Sequence, residues 1–406
     1  MADKPTRRNF LIGAGAAAAS AAGAFLVSKD GLLETRAEAE PIKDPDAVKA
    51  AALKRYRTLG RTGLKVSSIG IGAASLTSPA VLDRALDLGL NYIDTAACYA
   101  DGVSETVVGK VMKKRRKEVV LTTKWHPHAK ESKANILKSL DDSLKRLQTD
   151  HVDCVLVHSV KDVERIQNPA VFEAFEAAKK AGKVRFLGMS SHAPTLPEVV
   201  REAIKLGKYD VMLLKYSYMS YPALKDVIAE LDKAKIGLTV MKTRDGARYV
   251  DLAEFNRKDG FLGATLRWAS SNPSVHSAVI TLKTFEEAEL YAQIAGQQLA
   301  ANDVELLDEY ATRFDKVQCR WCGDCGSACP SGVPVWDVDR AAMYHDRYRE
   351  ERAGMGLYAA LGNPASACAG CAAPCESACS YEIPIREQMT HAHATLAWNP
   401  RPDVEV

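Results

Sequence analysis

Eight short apolar runs punctuate the chain between residues 56 and 310: SSIGIG, NYID, VVLTTK, VDCVLVH, VRFLGMS, VMLLKY, GLTVMK and HSAVIT. Most of the segments between them have helical period. Lys133 to Leu147 is an example, placing Ile136, Leu137, Leu140, Leu144 and Leu147 on one stripe. Runs that are apolar on both faces and alternate with helices predict a parallel sheet, and eight of them predict a closed (β/α)8 TIM barrel over 56–310. An open doubly wound sheet is the competing architecture, but no GxGxxG follows the first run. The segment YRTLGRTGLKVS before the first run predicts a short hairpin, with Gly60 and Gly63 suited to its turns. Polar residues gather where the runs end: Asp94 and Thr95, Lys124, His158, Ser190, Tyr216 and Lys242. In a barrel that is the carboxyl-end face, where chemistry sits.

The last quarter of the chain has a different character. Cys319, Cys322, Cys325 and Cys329 lie in CRWCGDCGSACP, and Cys368, Cys371, Cys375 and Cys379 in CAGCAAPCESACS. The first set has the spacing of the bacterial iron–sulfur run, in which the fourth cysteine serves the other cluster. Two 4Fe–4S clusters are therefore expected in a small domain over 311–395. One would use Cys319, Cys322, Cys325 and Cys379, the other Cys368, Cys371, Cys375 and Cys329. The second set carries an extra residue before Cys375 and Ser380 where proline is usual. Zinc, which also takes four thiolates, and disulfides in an exported chain compete with this reading. Neither remaining cysteine is expected to be a ligand. Cys154 reads as a core residue of the fourth run, and Cys98 either lines a pocket or packs under Tyr99.

The N-terminus bears on location. Arg7 and Arg8 precede an apolar, alanine-rich stretch and a polar segment in which Ala37 and Ala39 supply a small-x-small cleavage site. This has the order of a twin-arginine signal over 1–39, followed by a linker over 40–55, and predicts a periplasmic protein. An uncleaved anchor is the alternative, the apolar stretch being at the short limit for a span. With a formal charge of +3, the chain carries no basic patch that argues for nucleic acid, and the run Lys113–Lys117 simply solvates a turn. Residues 396–406 read as a tail.

Asp94, Tyr99, Lys124 and His158 supply one specific chemistry. A phenol is a poor acid at neutral pH, a nearby ammonium stabilises its anion, and a carboxylate holds the ammonium in place. An imidazole from the next strand can fix a carbonyl oxygen. The stretch IDTAACYADGVSETVVG, then VVLTTK, then VDCVLVH, resembles the aldo/keto reductases. With the cysteine-rich region included, the chain is similar to bacterial members that carry a C-terminal ferredoxin-like domain. The resemblance implies that Tyr99 is the acid–base group, that Lys124 lowers its pKa, that Asp94 pairs the lysine and that His158 orients a carbonyl.

The same resemblance implies NADPH lying extended across the barrel mouth, with Ser190, Ser191, Tyr216 and Lys283 at the cofactor positions. Several positions depart from the family pattern. Ser191 stands for asparagine, Leu213 for a glutamine that would meet the nicotinamide, and Ile280, Thr281 and Leu282 for Ile-Pro-Gly. These departures weigh against NADP(H), since a buried leucine cannot hydrogen-bond a carboxamide. The expected function is an exported iron–sulfur oxidoreductase that interconverts a small carbonyl and an alcohol and passes electrons through two clusters to a redox protein. Alternatively, the barrel is a non-catalytic scaffold and the protein an iron–sulfur electron carrier or a subunit of a periplasmic or membrane redox complex.

Overall fold

The structure, a computed structural model, describes residues 55–244, 260–361 and 364–397. The expected signal, nearly all of the linker and most of the tail lie outside the described residues. A hairpin comes first, β1 (Tyr56–Thr58) pairing antiparallel with β2 (Lys65–Ser67). Eight parallel strands follow: β3 (Ile69–Gly72), β4 (Tyr92–Asp94), β5 (Val120–Trp125), β6 (Val152–Val157), β7 (Val184–Ser191), β8 (Val211–Lys215), β9 (Gly237–Met241) and β10 (Ser277–Thr281). They form a closed barrel in chain order, sealed where β10 pairs with β3 from Ala278 opposite Ile69 to Thr281 opposite Gly72. Every residue of β5, β6 and β8 is buried, because one face looks into the barrel and the other meets the helices.

The hairpin stops the amino end of the barrel. Leu59, Leu64 and Val66 join Val120, Cys154, Leu156, Val211, Leu213 and Val279 in one buried cluster. Gly60 makes this contact possible. Its φ is +48°, and a Cβ there would fall 2.3 Å from the backbone nitrogen of Gly237 at the start of β9. Outside the barrel, Gly109 lets the helix Val103–Arg115 approach the helix Lys133–Leu147 at backbone distance, since a Cβ would meet the Arg146 carbonyl oxygen at 2.2 Å.

The C-terminal region departs from expectation. No β-strand occurs among the described residues beyond Thr281, so this region is not a β-rich ferredoxin-like fold. It is helical, built on Val335–Ala342, Glu351–Ala359 and Ile385–Leu396. The periodicity after the second cysteine set explains this. Ile385, Met389, Ala392 and Leu396 recur at helical spacing and are all buried with Val335 and Val338 in a separate small core. The cysteine runs lie in turns and, in the second, the short helical segments Ala365–Cys368 and Pro374–Ser377, with Trp321, Gly323 and Ala373 at positive φ.

This helical appendage sits on the carboxyl-end face of the barrel. Lys215, at the end of β8, donates to the Arg320 carbonyl at 2.9 Å, and Lys242, just past β9, reaches Tyr344 Oη at 3.3 Å. His192, one residue past β7, packs against Trp321 and Trp336 with ring centroids 5.9 and 6.2 Å away.

Candidate active site

Three consecutive strand ends bring the expected tetrad together. Lys124, on β5, is fully buried, and its Nζ donates to Asp94 Oδ2 of β4 at 2.7 Å, to the Thr95 carbonyl at 2.7 Å and to Tyr99 Oη at 3.1 Å. His158 follows β6, its ring edge-on to Tyr99 at a centroid distance of 5.7 Å. The turn after Tyr99 is unusual, with Ala100, Asp101 and Gly102 in succession at φ +47°, +52° and +87°. Two consecutive left-handed non-glycine residues cost of order 1–3 kcal/mol each, and persist only where the surroundings hold them. The surroundings here are the rest of the IDTAACYADGVSE stretch. Ser104 Oγ donates to the Ala73 carbonyl and bonds Thr95, while the buried Glu105 accepts from Thr123 and Arg146. The motif thus splits into groups that face the cavity and groups that hold the turn.

Burial is the largest influence on the protons of this site. It lifts Tyr99 well above the usual phenol range, with Asp94, Tyr344 and Cys98 adding to the shift. The lowering expected from Lys124 is therefore outweighed, and at neutral pH Tyr99 is a protonated phenol. Burial also raises the Asp94 carboxyl, which the Lys124 ammonium and its hydrogen bond pull back down. The imidazoles go the other way. Burial and the Lys124 charge hold His158 well below its ordinary value, and His126 is drawn down to about 4 by burial, then Arg165 and Lys124. Both rings are neutral at pH 7.

A cavity of about 150 Å³ opens beside the tetrad, lined in part by Asp94, Tyr99, Leu213, Lys242, Arg244 and Lys283. Tyr344, Tyr348 and Glu350 of the appendage close its outer side. Glu350 accepts from Ser75 Oγ at 2.5 Å and from Lys283 Nζ at 3.1 Å, so it ties the appendage to two loops of the barrel. Nothing in the local sequence around Tyr344 and Glu350 marked them for the site; only the fold brings them there.

The four residues given to the cofactor separate. Lys283 lines the cavity. Ser190 Oγ accepts from the Ser159 backbone nitrogen at 2.9 Å, and Ser191 Oγ donates to the Val160 carbonyl at 2.7 Å, both from buried positions. Tyr216 faces the helices, stacked on Trp268 at 4.7 Å and accepting from Asn272 at 3.1 Å. Lys242, Arg244 and Lys283 are a fitting set of cations for a phosphate-bearing cofactor. The volume is not, because pockets for ligands of that size run to about 300–1,000 Å³. Among the described residues, Tyr344, Tyr348 and Glu350 are the groups of the appendage that a dinucleotide in this cavity would meet.

Residues 68–243 match the Aldo/keto reductase family. The barrel is an aldo/keto reductase homologue. That family consists of oxidoreductases, and the curated relatives of this homologue agree. An oxidoreductase of Bacillus subtilis (strain 168) is 33% identical over 181 residues, 40% of this chain and 56% of the relative. The L-galactose dehydrogenase of Arabidopsis thaliana is 31% identical over 204 residues, 45% of this chain and 63% of that enzyme. The homologue thus spans only 56% and 63% of these two relatives. Among solved structures, an aldo-keto reductase from Klebsiella pneumoniae in complex with NADPH superposes with a TM-score of 0.52 at 25% identity, covering 63% of this chain and 95% of that one. A Klebsiella pneumoniae structure with NADP and acetate gives 0.51 at 26%, with the same coverage.

Two expectations are corrected by these findings. Weighing the sequence departures against NADP(H) was misplaced, since homologues with this fold hold NADPH and NADP. The two 4Fe–4S clusters are also withdrawn. Among the described residues, the only three potential ligand atoms lying within 4.8 Å of one another belong to Cys98, His126 and His158. Cys319, Cys322, Cys325, Cys329, Cys368, Cys371, Cys375 and Cys379 form no such group and are free thiols in the helical appendage. An iron–sulfur electron route, and the alternative of an iron–sulfur carrier serving a redox or membrane complex, lose their basis with the clusters. Among the described residues no helix is long and apolar enough to cross a membrane.

Proposed function

We propose that the barrel interconverts a small carbonyl compound and its alcohol, with Tyr99 handling the proton. The observation that carries this reading is the buried Lys124 ammonium, which donates at once to Asp94 and to Tyr99. In the reducing direction the protonated phenol donates to the carbonyl oxygen as that atom gains charge. Lys124 then stabilises the phenolate left behind, and Asp94 keeps the lysine charged and oriented. His158, neutral beside Tyr99, is placed to hold the carbonyl oxygen. NADP(H), as held by the Klebsiella pneumoniae homologues, supplies or accepts the hydride when bound.

Titration with NADPH and with NADH, followed by fluorescence quenching and then by carbonyl-dependent oxidation of the bound nucleotide, tests the reading. Binding with turnover that disappears in Tyr99→Phe supports it. No binding of either nucleotide, or equal turnover in the variant, rejects it. Export as a folded protein to the periplasm belongs to the same proposal, supported by Arg7, Arg8 and the apolar stretch after them. Fractionation checks it, with the Arg7→Lys, Arg8→Lys double variant expected to stay in the cytoplasm.

A further inference from the structure

Cys98, His126 and His158 converge beside the tetrad. Cys98 Sγ lies 3.1 Å from His126 Nε2 and 3.6 Å from His158 Nδ1, and those two ring nitrogens face each other. In a tetrahedral zinc site, Zn–S of about 2.3 Å and Zn–N of about 2.05 Å place sulfur about 3.6 Å from nitrogen. The separation from His158 matches that edge length, and the one from His126, at 3.1 Å, is shorter, so His126 draws back to admit the ion. Facing imidazole nitrogens are satisfied either by the N–H of one neutral ring donating to the other or by a metal between them. A proton is satisfied by two acceptors. The sulfur, a third ligand atom aimed at the same point, is what a metal requires.

The three side chains come from the loops after β4, β5 and β6, and the backbone holds those loops in register. His158 N donates to the Trp125 carbonyl at 2.8 Å. The Arg165 guanidinium donates to the Pro127 carbonyl at 3.1 Å and to the His158 and Ser159 carbonyls at 3.0 Å each, tying the two imidazole-bearing segments together. Cys98 is fixed by its place one residue before Tyr99 and the left-handed turn. Cys98 and His126 are exposed and His158 is half-buried, so the group is open on its outer side. Structural zinc sites are closed by four protein ligands, whereas three ligands with an open position describe a site that takes water or substrate.

We infer that Cys98, His126 and His158 form a mononuclear site for a divalent transition metal of the zinc class, its fourth position open to water or a small ligand beside Tyr99. A thiolate with two imidazoles selects zinc, cobalt or copper over the oxygen-seeking magnesium and calcium. The site does not depend on the reductase reading, although His158 belongs to both. A metal on Nδ1 leaves Nε2 for a carbonyl.

The test uses the full chain, stripped with a chelator under reducing, oxygen-free conditions and titrated with Co²⁺. The parent is compared with Cys98→Ser, His126→Gln and, as a control for the C-terminal thiols, Cys319→Ser. The expected result is that Cys98→Ser and His126→Gln each bind one equivalent fewer than the parent. The lost component should carry visible ligand-field bands and a single-thiolate charge-transfer band, and Cys319→Ser should retain it. Unchanged stoichiometry and an unchanged spectrum in both site variants would overturn the inference. If either variant loses its far-UV circular dichroism, ¹¹³Cd resonance on the parent decides. A signal from a mixed nitrogen–sulfur site, upfield of all-thiolate sites, supports the assignment, and its absence refutes it.

Discussion

The role proposed for Tyr99 rests on its hydroxyl and on neighbours that can be removed one at a time. Tyr99→Phe keeps the ring and deletes the oxygen held 3.1 Å from Lys124 Nζ, so turnover should fall by about 10²–10⁴, with circular dichroism unchanged. Asp94→Ala makes a different demand. It leaves the Lys124 ammonium, whose side chain is fully buried, without its counter-ion. Breaking such a pair costs about 3–5 kcal/mol, which urea denaturation should register as a lowered midpoint. The grouping of Asp94, Lys124 and His158 was legible because each ends one apolar run and strand ends in a barrel share a face, while Tyr99, in the loop after Asp94, came with the family resemblance. His126 follows the run that Lys124 ends and was passed over, since nothing in its own stretch told that it would meet Cys98 and His158. Tyr344 and Glu350 were beyond reach. Their contribution depends on where a distant helical region docks.

Among the elements, the helix Val103–Arg115 carries a sharp test of packing. Gly109→Ala drives a methyl to 2.2 Å from the Arg146 carbonyl oxygen, and the helices must separate. Overpacking of this kind costs about 1–3 kcal/mol, so the variant should unfold at lower urea concentration while Gly182→Ala, whose Cβ has open space but a positive φ, serves as a strain-only comparison. The eight strands were readable because burial on two faces leaves runs such as VDCVLV with no polar interruption but Asp153, which Arg116 and Arg185 neutralise. The appendage was misread for the opposite reason. Its cysteines stand at conspicuous spacing in turns and short helices, while most residues that build its core, among them Val335, Val338, Ile385 and Met389, lie in the less conspicuous stretches between and after them.

For the molecule as a whole, the contact between barrel and appendage decides what reaches the site. Glu350 pairs with Lys283, a cation of the cavity that the phosphate of NADP(H) is proposed to meet. Glu350→Ala removes that competitor. An ion pair of this exposure is worth about 0.5–1 kcal/mol, so NADP(H) should bind about 2- to 5-fold more tightly, as read by fluorescence titration. His192 gives the same contact a pH dependence. Burial among Trp321 and Trp336, with Lys242, Arg340 and Lys215 nearby, holds its pKa well below the ordinary value of 6.5. A histidine with a depressed folded value stabilises the closed form fully above pH 6.5. That contribution is lost as pH falls below 6.5 toward the depressed value, because the open form takes the proton first. Hydrogen-exchange protection in the appendage, measured relative to the intrinsic exchange rate at each pH, should therefore fall from pH 7.5 to 5, and His192→Gln should flatten the change.

The hairpin at the far end has its own consequence for traffic. Leu59, Leu64 and Val66 cork the amino end, so compounds reach Tyr99 from the carboxyl-end face, past Tyr344, Tyr348 and Glu350 on one side and past the exposed Cys98 and His126 on the other. A vessel stoppered at one end fills and empties at the other. Substrate and product then share one mouth, and turnover that waits on their passage through it should fall as the solvent is made more viscous.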